Sequence, residues 1–73
     1  MDLILYTSPG CVRCKLVKQM LDKHNVSYIE ISDKQVAIDK GLEQAPALEV
    51  DGKLIDQYNL VLDWLREHNY YSL

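Results

Sequence analysis

No third cysteine, no apolar run of membrane-spanning length and no surplus of positive charge occur in this chain, and each absence removes a class of protein. A zinc site needs four ligands, and with two cysteines it would have to recruit His24 and His68, which lie far apart in the sequence. Eight Lys and Arg against eleven Asp and Glu leave a net charge of -3, a balance that repels phosphate backbones and anionic lipid. Neither nucleic acid nor a membrane is expected as a partner. The apolar start Met1-Asp2-Leu3-Ile4-Leu5-Tyr6 lacks a basic leader and a small-residue cleavage site, so it reads as a strand and not a signal peptide. Low-complexity tracts, internal repeats and long linkers are missing too. At 73 residues, the chain reads as one domain, 1–73, near the lower limit at which a core holds without a metal or extra crosslinks. A cytoplasmic monomer is the expectation.

What the chain does contain is concentrated in Thr7-Ser8-Pro9-Gly10-Cys11-Val12-Arg13-Cys14, which holds both cysteines and a Pro-Gly turn between an apolar run and a helical pattern. Two thiols at i and i+3 on the first turn of a helix come close enough for a short disulfide that opens and closes without moving the fold. At the mouth of that helix, unpaired backbone N–H groups and the positive dipole end favour a thiolate, which makes Cys11 the candidate nucleophile. Cys14, one turn further in and shielded by Leu16 and Val17, is the candidate resolving residue. A stapling role is the bland alternative, but a bridge across so small a loop constrains little of the unfolded chain. Arg13, Lys15 and Lys18 follow closely, either as a field acting on the thiol or as the solvated side of the helix.

Hydrophobic periodicity supplies the scaffold. Leu3 to Tyr6 reads as a central strand covered on both faces. Val12, Leu16, Val17, Met20 and Leu21 form one helical stripe that runs to about His24, with Asn25 suited to a left-handed helix end. Val26 to Ile31 has strand character, and a strand, helix and strand this tightly joined pair in parallel through a right-handed crossover. Ser32-Asp33-Lys34-Gln35 reads as a capping box with Ser32 at the cap, opening a short helix that Gly41 ends. Asp51-Gly52 between Ala47-Leu48-Glu49-Val50 and Lys53-Leu54-Ile55 is a hairpin turn needing positive φ at both positions. Leu60, Val61, Trp64, Leu65 and His68 mark a last helix, with Asp56 and Asn59 as candidate N-caps and a frayed tail through Tyr70 and Tyr71. The order is βαβαββα: an α/β sandwich on a mixed four-stranded sheet with three helices.

A strand, Thr7-Ser8-Pro9-Gly10-Cys11-Val12-Arg13-Cys14, a helix and then Ala45-Pro46 before the third strand resemble the glutaredoxin branch of the thioredoxin fold across essentially the whole chain. Within that branch, the motif is most similar to small glutaredoxin-like redoxins that take electrons from thioredoxin reductase and pass them to ribonucleotide reductase. The resemblance implies a thiol-disulfide oxidoreductase with no bound cofactor, in which Cys11 attacks and Cys14 resolves. It implies that Pro46 is a cis-proline facing the cysteines and that the Ala45 backbone pairs with a bound peptide or glutathione. Apart from the resemblance, a proline entering a strand lacks a ladder donor, and a cis bond there would leave the Ala45 backbone free for a substrate strand. Where many glutaredoxins carry a glycine pair and a polar helix start that holds the glutathione γ-glutamyl group, this chain has Asp56-Gln57-Tyr58-Asn59-Leu60. Asp56 would repel that anionic end, while Asn59 and the N–H groups after it would accept a carboxylate.

The expected catalytic residues are therefore Cys11 and Cys14, and the expected substrate-binding residues are Pro9, Val12, Arg13, Ala45, Pro46 and Asn59. Tyr6 is a further candidate to line the substrate groove. Disulfide-containing proteins are the expected substrates, with thioredoxin reductase or glutathione as reductant. Two rival classes use the same residues: a metal or iron-sulfur carrier with both thiols as ligands, and a non-catalytic interaction domain.

Overall fold

The computed structural model describes residues 2–72. Among them the order is β1 (Leu3–Tyr6), α1 (Val12–Lys23), β2 (Ile29–Ile31), α2 (Lys34–Asp39), β3 (Ala47–Val50), β4 (Lys53–Ile55) and α3 (Tyr58–Glu67). The sheet runs β2-β1-β3-β4, with β1 parallel to β2 and antiparallel to β3, and β3 antiparallel to β4. The mixed sheet expected from the periodicity is the one formed.

Side-chain alternation divides the sheet into two faces. Leu3 and Leu5 of β1 and Leu48 of β3 turn to one face and pack on Val17, Met20 and Leu21 of α1 and Val61, Trp64 and Leu65 of α3. Each fully buried aliphatic side chain stabilises the fold by about 1.5 to 3 kcal/mol, so this layer holds the domain together. On the other face a smaller cluster, Tyr6, Leu42 and Ala47, meets Val36 and Ala37 of α2. No α2 side chain is buried.

All three helices end alike. Asn25, Gly41 and Asn69 adopt φ of 57, 76 and 60°, and the residue after each donates its N–H back five residues: Val26 to Leu21, Leu42 to Ala37, Tyr70 to Leu65. This is the Schellman closure, with an apolar residue just beyond the turn packed against the helix it ends. It corrects the expectation of a frayed tail. Tyr70 is the closing residue of α3, and Tyr70 and Tyr71 are half-buried against the main core, with the Tyr70 ring 5.9 Å from Trp64 and 5.8 Å from His24. At the hairpin, Asp51 and Gly52 take φ of 49 and 86°, as the turn requires.

The helix starts depart from the sequence reading. The α2 cap is Asp33 and not Ser32: the Asp33 carboxylate accepts from the N–H groups of Gln35 (2.8 Å) and Val36 (3.4 Å). Gln35 does not reach back but donates forward to Asp39 (3.0 Å). The α3 cap is Gln57, without a side-chain cap bond among the described residues, so neither Asp56 nor Asn59 caps that helix. Strand β2 starts at Ile29 and not Val26, because Val26 is spent closing α1.

Across the lightly covered face, the Lys40 ammonium donates to Glu49 Oε1 (2.9 Å), which also accepts from the Tyr6 hydroxyl (3.0 Å). The Lys40 contact, then Tyr6, holds the Glu49 carboxyl below its ordinary 4.5. A depressed folded value means that the unfolded chain takes up the proton first as pH falls, so this contribution is complete above 4.5 and is lost as pH drops through the lower folded value. In urea titrations from neutrality to about pH 3, Glu49→Gln should therefore lose less stability than the wild type. An equal loss in both would sink this assignment.

Candidate active site

Chain direction and capping place both sulfurs. Strand β1 ends at Tyr6, the Thr7 N–H donates to the Ile31 carbonyl (2.9 Å), and the chain turns at Gly10 (φ 71°) into α1. Cys11 is the N-cap of α1, and its sulfur accepts from the Cys14 N–H at 3.0 Å. The sulfur that the sequence marks as nucleophile thus occupies the position where a helix presents unpaired N–H donors. Cys14 lies within the first turn and is only 3% exposed, while Cys11 is half-buried. The two are joined in a disulfide with their Cα atoms 5.2 Å apart.

The second wall of the site is the segment entering β3. The Ala45-Pro46 peptide bond is cis, Pro46 is fully buried, and the Ala45 carbonyl oxygen lies 3.9 Å from the Cys11 sulfur. Residues 34 positions apart in sequence therefore face each other across the cysteine mouth. Beside them Pro9, Ala45, Tyr6, Ile38 and Leu42 line a mainly apolar depression of about 300 Å³. Tyr6 contributes its ring only, since its hydroxyl is turned to Glu49, and burial, then Glu49, raises its titration above the ordinary 10.0.

The other expected residues separate into groups. Val12 does not join the α1 core stripe; it is 70% exposed beside Cys11, and the buried position in the first turn belongs to Cys14. Arg13 lies with its guanidinium 4.6 Å from the centroid of the Tyr58 ring, at the start of α3. Lys18 is drawn away to Glu30 (3.0 Å), which also accepts from the Thr7 hydroxyl (2.9 Å). Those two contacts, Lys18 first, hold the Glu30 carboxyl below its ordinary value and tie the start of the cysteine loop to β2. Asn59 is exposed in the first turn of α3, next to Tyr58. Tyr58 was missed by sequence reasoning: an aromatic at a helix start reads as packing, and only the fold brings it under Arg13.

Cys11 and Cys14 are the available sulfur ligands, and among the described residues no three His, Cys, Asp or Glu side chains gather at one point. No helix among them is long and apolar enough to cross a membrane. A half-exposed sulfur at a helix mouth, a buried sulfur one turn behind it and the backbone carbonyl of half-buried Ala45 opposite suit thiol-disulfide exchange.

Comparison with known proteins agrees with this geometry. The structure superposes on that of a thioredoxin-like protein with a TM-score of 0.73 at 25% identity, covering 90% of this chain and 97% of that one. It also matches a diazinon-metabolizing glutathione S-transferase of the silkworm Bombyx mori (TM-score 0.72, 20% identity, 92% of this chain, 38% of that one). A prostaglandin synthase D of Nilaparvata lugens gives a TM-score of 0.69 at 23% identity, covering 93% of this chain and 37% of that one. The likeness to these two larger proteins is one of fold. Comparison with curated protein sequences finds no significant match. The glutaredoxin family model matches residues 3–55, a span that holds both cysteines, the cis-proline and all four strands. The chain belongs to the glutaredoxin family.

Proposed function

We propose that this protein is a dithiol oxidoreductase that reduces disulfides in protein substrates. The observation that carries the reading is the placement of Cys11 at the open N-terminus of α1, facing the Ala45 carbonyl, with Cys14 buried one turn behind. In the reduced protein the Cys11 thiolate attacks one sulfur of the target disulfide. A Cys11-target bond forms, the target bond breaks, and the departing thiolate takes up a proton. The Cys14 thiol then gives up its proton and attacks the Cys11 sulfur, releasing the second target thiol. Two electrons have passed to the target, and the protein holds the Cys11–Cys14 bridge seen here. The substrate segment lies along Ala45 and Pro46, whose position at a strand entrance leaves backbone groups for an extended chain to pair with.

The bridge is reduced again by thioredoxin reductase or by glutathione. NADPH consumption with a small disulfide, once with thioredoxin reductase and once with glutathione plus glutathione reductase, decides between them; turnover with neither would overturn the reading. Cys14→Ser tests the division of labour. It should lose reduction of protein disulfides and accumulate a mixed disulfide on Cys11, visible by mass spectrometry, yet keep monothiol exchange with glutathionylated substrates. Full dithiol turnover by this variant would remove Cys14 from the mechanism.

A further inference from the structure

Arg13 stands inside the cysteine motif, and its surroundings differ from those of the other paired cations. Lys18, Lys40 and Arg66 each meet a carboxylate, at 3.0, 2.9 and 3.1 Å. The Arg13 guanidinium instead lies over the Tyr58 ring, and among the described residues it has no hydrogen-bond or ion-pair partner. Contact with the face of a ring uses the positive charge but not the N–H groups, which lie in the guanidinium plane and point outward. The molecule contains its own example of the two uses combined. Arg66 lies over Tyr71 (4.4 Å) and at the same time donates to Asp63 (3.1 Å). Arg13 has the ring without the acid.

Tyr58 gives that arginine a fixed seat. It is half-buried, packed against the main core and placed at the start of α3, so its ring is held by the fold. A long side chain that would otherwise sample many rotamers is thereby pre-organised one residue from exposed Val12 and two from Cys11. Exposed Val12 offers an apolar contact to a side chain of an approaching peptide. With a net charge of -3 the protein as a whole repels acidic partners, so any attraction here acts at contact range.

Building on the dithiol reading above, we infer that Arg13, seated on Tyr58, receives a carboxylate flanking the target cysteine, so that the preferred substrates are peptide disulfides with an acidic residue beside the disulfide. Arg13 is a specificity residue and Tyr58 a positioning residue acting through it.

The test compares three oxidised peptides that differ only in the residue next to the attacked cysteine: Glu, Gln or Lys. For the wild type, kcat/KM should be about threefold higher for the Glu than for the Gln peptide, with Lys the poorest, and the difference should lie in KM. The preference should vanish in Arg13→Gln, an exposed substitution, and fade in high salt. Tyr58→Phe, which keeps the ring, should retain it, whereas Tyr58→Leu should lose it although the charge remains; melting curves confirm that both fold. Equal kcat/KM for the three peptides, or a Glu preference that survives Arg13→Gln, overturns the inference while leaving the dithiol reading intact. No turnover of any of them defeats that reading and the inference with it.

Discussion

Cys11→Ser abolishes reduction of every disulfide substrate, with a loss of more than about a thousandfold, because a serine hydroxyl remains protonated where a thiolate is the nucleophile. The same substitution should leave the fold standing. Cys11 is the N-cap of α1 and its sulfur accepts from the Cys14 N–H; serine is among the preferred residues for that position and accepts the same bond. The expected result is thus a protein with unchanged circular dichroism, a melting temperature close to that of the reduced wild type, and no turnover. Residual activity above that of free glutathione would remove Cys11 from its assigned role. A collapse of the fold would show that the sulfur is structural, which the capping geometry argues against.

The largest expected effect on stability is at Leu5. This side chain is fully buried in β1, which pairs with β2 on one side and β3 on the other, and it joins the core shared with α1 and α3. Leu5→Ala should cost about 3 kcal/mol, the lost transfer energy plus the cavity left behind. Total stability for a domain of this size is about 5 to 10 kcal/mol, so the variant sits near the edge of folding. Leu60→Ala is the control: Leu60 is 44% exposed and its removal should cost less than about 0.5 kcal/mol. Urea midpoints for the two variants decide the matter, and similar shifts would mean that the core is not where the burial places it.

The parts of this molecule that rest on local chemistry were readable from the chain. Asp51-Gly52 demands a tight turn, Pro9-Gly10 demands a break before a helix, and the stripe through Val17, Met20 and Leu21 has one face to bury. The resemblance to glutaredoxins, carried by the motif from Thr7 to Cys14 and by Ala45-Pro46, agrees with the family model that matches residues 3–55. Harder to read were positions where two local solutions compete. Ser32 and Asp33 are both good caps in adjacent positions, and the one that forms two bonds, to Gln35 and Val36, takes the role. At α3 the cap rules look for a side chain that the fold does not use, because the amphipathic face through Val61, Trp64 and Leu65 fixes the helix by packing. Nor does the chain reveal its own long-range pairings. The meetings of Arg13 with Tyr58 and of Lys40 with Glu49 depend on which ends of helices and strands the topology brings together.

The uneven covering of the sheet has a kinetic side. One face carries α1 and α3 over a continuous core, whereas the other carries a six-residue helix with no buried side chain. In native-state amide hydrogen exchange, the α2 N–H groups should lose protection through local opening, while those of β1 and β3 should exchange only with global unfolding. Ala45, which opposes the Cys11 sulfur, leads through fully buried Pro46 into β3, so both it and the cysteines belong to the part that opens last. The depression beside them is walled in part by Ile38 of α2, so that side of the site yields when the helix opens while the sulfurs and the Ala45 carbonyl keep their places.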